Sequence, residues 1–93
     1  MVKHIVLFNV KEGENAAEVA KIAESVLVPL VGKIPGLLHL EVRRTFQGMD
    51  YALYSEFESE EAMRAYAEHP LHLAAKDQFF HMLDTRYAAD YLA

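Results

Sequence analysis

The sequence predicts an α+β fold of order β-α-β-β-α-β around a four-stranded antiparallel sheet, and three observations carry that prediction. Four short segments are rich in Val, Ile, Leu, Phe and Tyr, with the alternation expected of strands. Between them lie two stretches in which apolar residues recur at helical spacing. Each helical stretch opens on a good capping residue, Asn15 and Ser59.

Residues 2–10 form the first predicted strand. One face carries His4, Val6 and Phe8, and the other carries Lys3, Ile5 and Leu7. Both faces are largely apolar, so both are expected to be covered. Asn15 with Glu18 three residues later makes a capping box, and Val19, Ile22, Ala23, Val26, Leu27 and Leu30 follow at helical spacing. Pro29 kinks or ends this helix, and Pro35-Gly36 makes a turn. Residues 37–46 form the second strand, with Leu38, Leu40 and Val42 alternating with His39, Glu41 and Arg43. A loop over 47–50 leads into the third strand at 51–57, with Tyr51, Leu53, Ser55 and Phe57 on one side.

Ser59 caps a second helix whose first turn holds Glu60 and Glu61, near the positive end of the dipole. Ala62, Met63, Tyr66 and Ala67 form its inner stripe. His69 precedes a proline and is driven out of the helical region, and Pro70 suits the first position of a third helix. Ala75, Phe79, Met82 and Leu83 give that helix an apolar stripe, and residues 85–92 close the sheet. This order is the ferredoxin-like, split βαβ pattern. Helices then cover one sheet face. The other face mixes Ile5, Leu7, Ala52 and Tyr54 with Lys3 and Glu56, which suits packing against a second subunit.

Ninety-three residues make one expected domain, 1–93, with a core that is marginal alone. A hydrophobic content of 53% is generous for that size and points to apolar surface covered by another copy, a homodimer. The net charge of −5, with Arg43-Arg44 as an isolated basic pair, argues against nucleic acid as partner. No apolar run approaches the ~20 residues of a membrane span, and the opening lacks a signal-peptide pattern, so no membrane partner and a cytoplasmic location are expected. The lack of cysteine excludes disulfides, thiolate catalysis and cysteine-held zinc.

The chemistry-bearing stretch is Ala65-Tyr66-Ala67-Glu68-His69-Pro70-Leu71-His72, which sets a phenol and two imidazoles around a helix break. His4 is the lone polar ring on the inner face of the first strand. Tyr66, His72 and His4 are the candidate catalytic residues. His72 suits a general base, Tyr66 an orienting donor, and His4 a donor to a substrate carbonyl or enolate. The plainer alternative makes Tyr66 a core aromatic and His72 a helix-start residue. Val6, Phe8, Leu40, Tyr51 and Leu53 are the candidate substrate-binding positions, for a small-molecule ligand. His69 is read as a turn residue, and His39 and His81 as surface or interface residues. Arg86 is either exposed or turned toward the helices, where burial would demand an anionic partner or ligand. No cofactor is expected, and no metal, since neither an HExxH motif nor a carboxylate pair accompanies the histidines.

The segments Val2-Lys3-His4-Ile5-Val6-Leu7-Phe8, Ile34-Pro35-Gly36, Phe57-Glu58-Ser59, Tyr66, His69-Pro70-Leu71-His72 and Asp90-Tyr91 together resemble the Dabb family of stress-responsive dimeric alpha/beta-barrel domains. The resemblance covers almost the whole chain. It implies two ferredoxin-like sheets packed face to face across a homodimer. A plant polyketide cyclase of that family closes its substrate by cofactor-free aldol condensation, and its acid–base pair falls at Tyr66 and His72, with a further histidine at His4. Its third-strand histidine falls at Tyr51, and two of its pocket aromatics fall at Ala75 and Leu83, which implies a differently shaped cavity. The functional expectations are therefore a cofactor-independent lyase, cyclase or isomerase acting on a small carbonyl or phenolic compound, or a non-catalytic ligand-carrying barrel. A cofactorless monooxygenase or haem-degrading enzyme of similar element order is a third, and the absence of tryptophan removes the Asn-Trp-His constellation from it.

Overall fold

The structure, a computed structural model, describes residues 1–93. Strand β1 (Val2–Val10) runs through the middle of the sheet, whose order is β2-β3-β1-β4, and all neighbours are antiparallel. Its inward residues Val2, Val6 and Phe8 are almost fully buried, while Leu7 on the other side is 37% exposed. The sheet is thus covered on one face only, and the face carrying His4 is the covered one.

Helix α1 (Ala16–Leu27) begins where Asn15 Oδ1 accepts the Glu18 N–H at 3.0 Å. It buries Val19, Ala20, Ala23 and Leu27 against the sheet. Regular helix stops at Leu27 because Pro29 has no N–H to continue the ladder, and a single 3-10 turn, Val28–Leu30, completes the segment.

Strand β2 (Leu37–Arg44) carries an irregularity that the alternation pattern hides. Leu37 lies opposite Phe57 and His39 opposite Glu56, so Leu38 is an extra residue, and it is 47% exposed. The inward set is Leu37, Leu40 and Val42 instead of Leu38, Leu40 and Val42. The strand also ends two residues before the expected Phe46, which stands fully exposed in the following loop. Asp50 closes that loop: its carboxylate accepts from Val10 N at 2.9 Å, and Asn9 Oδ1 accepts from Asp50 N at 3.0 Å. In β3 (Tyr51–Phe57) the predicted alternation holds throughout, with Tyr51, Leu53, Ser55 and Phe57 all buried.

Helix α2 (Glu60–Glu68) starts with Ser59 Oγ accepting from Ala62 N at 3.1 Å. Helix α3 (Pro70–Lys76) starts at His69, whose backbone is extended and whose own Nδ1 accepts from Leu71 N at 3.1 Å. His69 is therefore a cap, in keeping with its pre-proline position. The expected apolar stripe of the third helix is split. Ala75 is buried within α3, Phe79 is buried in the turn beyond it, and Met82 ends a 3-10 turn. Leu83 opens β4 (Leu83–Leu92) opposite Val10, two residues before the predicted start. Pairing with β1, helped by a Lys11 N–H to Met82 C=O bond at 2.9 Å, draws this segment into the sheet. Buried rings such as Phe57 and Phe79 each contribute ~1.5–3 kcal/mol relative to exposure. No helix is long and apolar enough to cross a membrane.

The uncovered sheet face holds Ile5, Leu7, Ala52, Tyr54, Tyr87 and Ala89 by register. Lys3 forms an ion pair with Glu56 there, and the Tyr54 hydroxyl donates to the same carboxylate at 2.6 Å.

Gly36, at the entry to β2, has φ +84°, and a Cβ there would stand 2.5 Å from the Ala62 Cβ of α2. Gly32 has nearly the same φ, +87°, but open space around it. Replacing Gly32 with alanine should cost about 1–2 kcal/mol of left-handed backbone strain. Gly36→Ala should cost about 2–5 kcal/mol, since steric overlap with α2 adds to that strain. Urea unfolding of the two variants checks this, and equal losses would show that α2 yields freely.

Candidate functional site

A cavity of about 230 Å³ opens between the helices and the β1–β4 side of the sheet. That is below the ~300 Å³ at which ligand pockets for drug-sized molecules begin, so it suits a small molecule. Its floor is His4, Val6 and Phe8 of β1 with Leu53 of β3, and its wall is Met63, Tyr66 and Ala67 of α2 with His72 and Lys76 of α3. Phe79, Phe80, Arg86 and Asp90 complete the rim on the β4 side.

Tyr66, His72 and His4 therefore share one cavity, and the break between α2 and α3 is what allows it. Six residues apart on an unbroken helix, Tyr66 and His72 would point about 120° apart. His69 and Pro70 redirect the chain, and the two rings come to lie 4.1 Å apart between centroids at an interplanar angle of 33°. They pack against each other at a tilt; they do not form the phenol–imidazole hydrogen bond that an acid–base pair suggests. Tyr66 also packs on Phe57 at 5.0 Å, and Phe57 meets His4 edge-on at 6.1 Å.

His72, Tyr66 and His4 are each held by a definite partner or by burial. His72 Nδ1 donates to the Ala67 carbonyl at 3.2 Å, because an acceptor oxygen requires the proton on that nitrogen. Neutral His72 thus keeps its lone pair on Nε2. Burial moves the His72 imidazole below its ordinary value near 6.5, and the Lys76 and Arg86 charges add to that shift against the Ala67 bond. The ring is neutral and able to accept a proton at neutral pH. Burial pushes the Tyr66 phenol well above its ordinary range, with Arg86 opposing, so Tyr66 is a neutral donor. His4 Nδ1 is hydrogen-bonded to the Asp90 carboxylate directly across the strand pair, since His4 and Asp90 are register partners.

Among the predicted binding positions, Val6, Phe8 and Leu53 line the cavity, whereas Leu40 and Tyr51 do not. Leu40 lies on β2, the far edge strand, in core packed beneath α1. Tyr51 is fully buried behind Phe8, its ring stacked at 4.6 Å, and its hydroxyl has no hydrogen-bond partner. His39 contacts Glu41 at 3.2 Å on the surface, and neither His39 nor His81 reaches the cavity. Arg86 does turn toward the helices and lines the cavity, yet it is exposed. Asp90, Lys76, Arg64 and Met63 are lining residues that pattern reasoning missed. For Asp90 the signal was available: it shares strand parity with Arg86 and Ala88 and falls opposite His4 once the register is known. No three His, Asp or Glu side chains stand together in a metal-holding arrangement.

The His72 environment has a consequence for stability. Its imidazole binds a proton less readily folded than unfolded. The unfolded chain therefore gains protons first as pH falls below about 6.5, and stability present above that value is lost as pH drops toward the lower folded pKa. His72→Gln should shrink the loss of urea stability between about pH 7.5 and about pH 5.5. An identical loss in both proteins would mean that His72 is not depressed.

Comparison with known proteins fits this geometry. The chain matches the family profile of the Stress Responsive A/B Barrel Domain over residues 2–93. A dimeric protein of unknown function with a ferredoxin-like fold from Bacteroides fragilis aligns with TM-score 0.86 and 30% identity, over 97% of this chain and 93% of that one. A Dabb family protein from Mesorhizobium loti aligns with TM-score 0.77 and 22% identity, over 99% and 95%. A candidate antibiotic biosynthesis monooxygenase from Nitrosomonas europaea aligns with TM-score 0.81 and 19% identity, over 100% and 98%, a likeness of fold alone. Comparison with curated proteins found no match. The ferredoxin-like sheet, its uncovered face and the family match across residues 2–93 lead to one conclusion: the chain belongs to the stress responsive A/B barrel domain (Dabb) family.

Proposed function

We propose that this protein is a homodimeric barrel that binds a small carbonyl or phenolic compound in the Tyr66–His72–His4 cavity and moves a proton on it without a cofactor. The observation that carries this reading is the convergence of a phenol and two imidazoles in one small cavity. Neutral His72, with its tautomer set by Ala67, accepts the proton. Tyr66, neutral and buried, orients the substrate oxygen by donating to it. His4 donates its Nδ1 proton to Asp90 in a hydrogen bond, so toward a ligand the neutral ring offers Nε2, an acceptor for a substrate hydroxyl. Fold likeness to a candidate monooxygenase carries no chemistry of its own.

A panel of small ketones and phenols in deuterated buffer tests the reaction class, with hydrogen–deuterium exchange at the activated carbon read by NMR. The wild type should accelerate exchange for at least one compound. His72→Ala should lose about 10²–10⁴ of that acceleration with the fold retained, which is the range of positioned acid–base groups. Full activity in His72→Ala, or no acceleration with any compound, would sink the assignment.

A second reading has its own observation. Tyr66 and His72 pack ring against ring with no hydrogen bond between them, so the cavity also suits a carrier that holds a ligand and leaves it unchanged. Tight binding of a panel compound with no exchange would favour it.

The dimer is assigned to the uncovered sheet face, where Leu7, Tyr87 and Tyr91 are exposed together. It agrees with the dimeric neighbour from Bacteroides fragilis. Light scattering should give twice the chain mass of 10.6 kDa for the wild type and the monomer mass for Leu7→Asp. A monomeric wild type would overturn the assignment.

A further inference from the structure

The chain is acidic, with net charge −5, yet its cavity is not. The lining holds the cations Arg64, Lys76 and Arg86 against one carboxylate, Asp90. Asp90 is already engaged by His4, and Arg64 by Glu60 at 3.1 Å. Lys76 and Arg86 take part in none of the chain's ion pairs. Strand geometry explains why Asp90 does not serve Arg86. Both face the helices, but four residues of extended chain set their backbones about 13 Å apart. Across the strand pair Arg86 meets only Phe8. Lys76 Nζ lies 4.4 Å from the centre of the Phe80 ring, which holds a cation without neutralising it.

The cavity also has an aromatic side. Phe8, Phe79, Phe80 and Tyr66 line it, and Phe8 and Phe79 meet edge-on at 6.5 Å. We infer that the cavity selects a small carboxylate with a flat apolar body, its carboxylate held by Arg86 and Lys76 and its body among Phe8, Phe79 and Tyr66. Arg86 is the main determinant, since a guanidinium can take both carboxylate oxygens at once, while Lys76 adds a point charge. This rests on the cavity reading above and narrows its substrate class to anions. The charges of Lys76 and Arg86 also reach His72, whose proton affinity both lower, which places them on the same space as the base.

The test uses the full chain with sodium benzoate as probe, benzamide as its neutral counterpart and inorganic phosphate as an anion without an apolar body, each titrated by NMR shift changes. Benzoate should move the resonances of Tyr66, His72 and Phe79 and bind at least about tenfold more tightly than benzamide or phosphate. Arg86→Gln should weaken benzoate about tenfold or more, Arg86→Lys about threefold, and Lys76→Gln by a smaller factor, with benzamide unaffected. Added salt should weaken benzoate and not benzamide. Arg86 is exposed on an edge strand, and Lys76→Gln gives a second, independent variant.

Equal affinity for benzoate and benzamide would overturn the inference. So would unchanged benzoate binding in Arg86→Gln, phosphate binding as well as benzoate, or no shift at about 10 mM benzoate. The outcomes also separate the two readings. Arg86-dependent benzoate binding with a fully active His72→Ala supports the anion site and overturns the acid–base assignment. Arg86-independent binding with an inactive His72→Ala overturns the anion site alone.

Discussion

The register of β1 is the constraint on which the site depends. β1 is paired on both sides, with β3 and with β4, and its parity decides which side chains meet the helices. In the observed register His4, Val6 and Phe8 face inward and bring Asp90, Ala88 and Arg86 of β4 with them. A slip of one residue would turn all of these outward and put Lys3, Ile5 and Leu7 under the helices. The penalty for burying Lys3 and exposing Val6 and Phe8 is what keeps the register unique. The same choice therefore builds the cavity floor, orients His4 by Asp90 and leaves the uncovered face apolar enough for a second copy.

The helix layer adds one further constraint, the break at His69-Pro70. Pro70 cannot supply the N–H that would continue α2, and it holds His69 in extended backbone. His69 then caps α3 with its own ring nitrogen, which offsets an N–H left unpaired at the new helix start. The break also frees the Ala67 carbonyl for His72 Nδ1. One proline thus sets the position of His72, its tautomer and its packing against Tyr66. Tyr66 is fixed in turn by Phe57 at the end of β3, so that sheet and helix layers meet at the cavity wall.

What could be read from the sequence follows from how local its cause is. β3 was legible because strict alternation has one meaning on a half-covered sheet. The caps at Asn15 and Ser59 and the break at Pro70 were legible because each acts within a few residues. Alternation misplaces Leu38 because a bulge changes parity without changing composition. Helical spacing extends the third helix too far because the pull on Met82 and Leu83 comes from Lys11 and Val10, some seventy residues away in sequence. At the site, parity gave the face but not the part of it under a cavity. Leu40 and Tyr51 were therefore grouped with Val6, Phe8 and Leu53, although α1 covers one and Phe8 the other. Strand parity alone points to Arg86, whereas Asp90 as the partner of His4 needs the register of β1 with β4, at opposite ends of the chain.

On the proposed reading, the charges in the cavity couple ligand selection to proton transfer. Lys76 and Arg86 lower the proton affinity of His72, as does burial, and so keep the imidazole neutral while the cavity is empty. A carboxylate bound to those cations cancels their field at His72 and leaves burial as the main opposing cause. Proton affinity at His72 then rises when an anion binds to that pair. Reciprocity requires that a protonated His72 in turn favour the anion, because the coupling free energy is the same in either direction. A base that strengthens on occupancy idles when the site is empty and abstracts a proton more readily from a ligand that carries the matching charge. An anion that enters the cavity meets net positive charge there, although the chain as a whole is acidic. Selection of the ligand and strength of the base are, on this arrangement, two effects of the same pair of side chains.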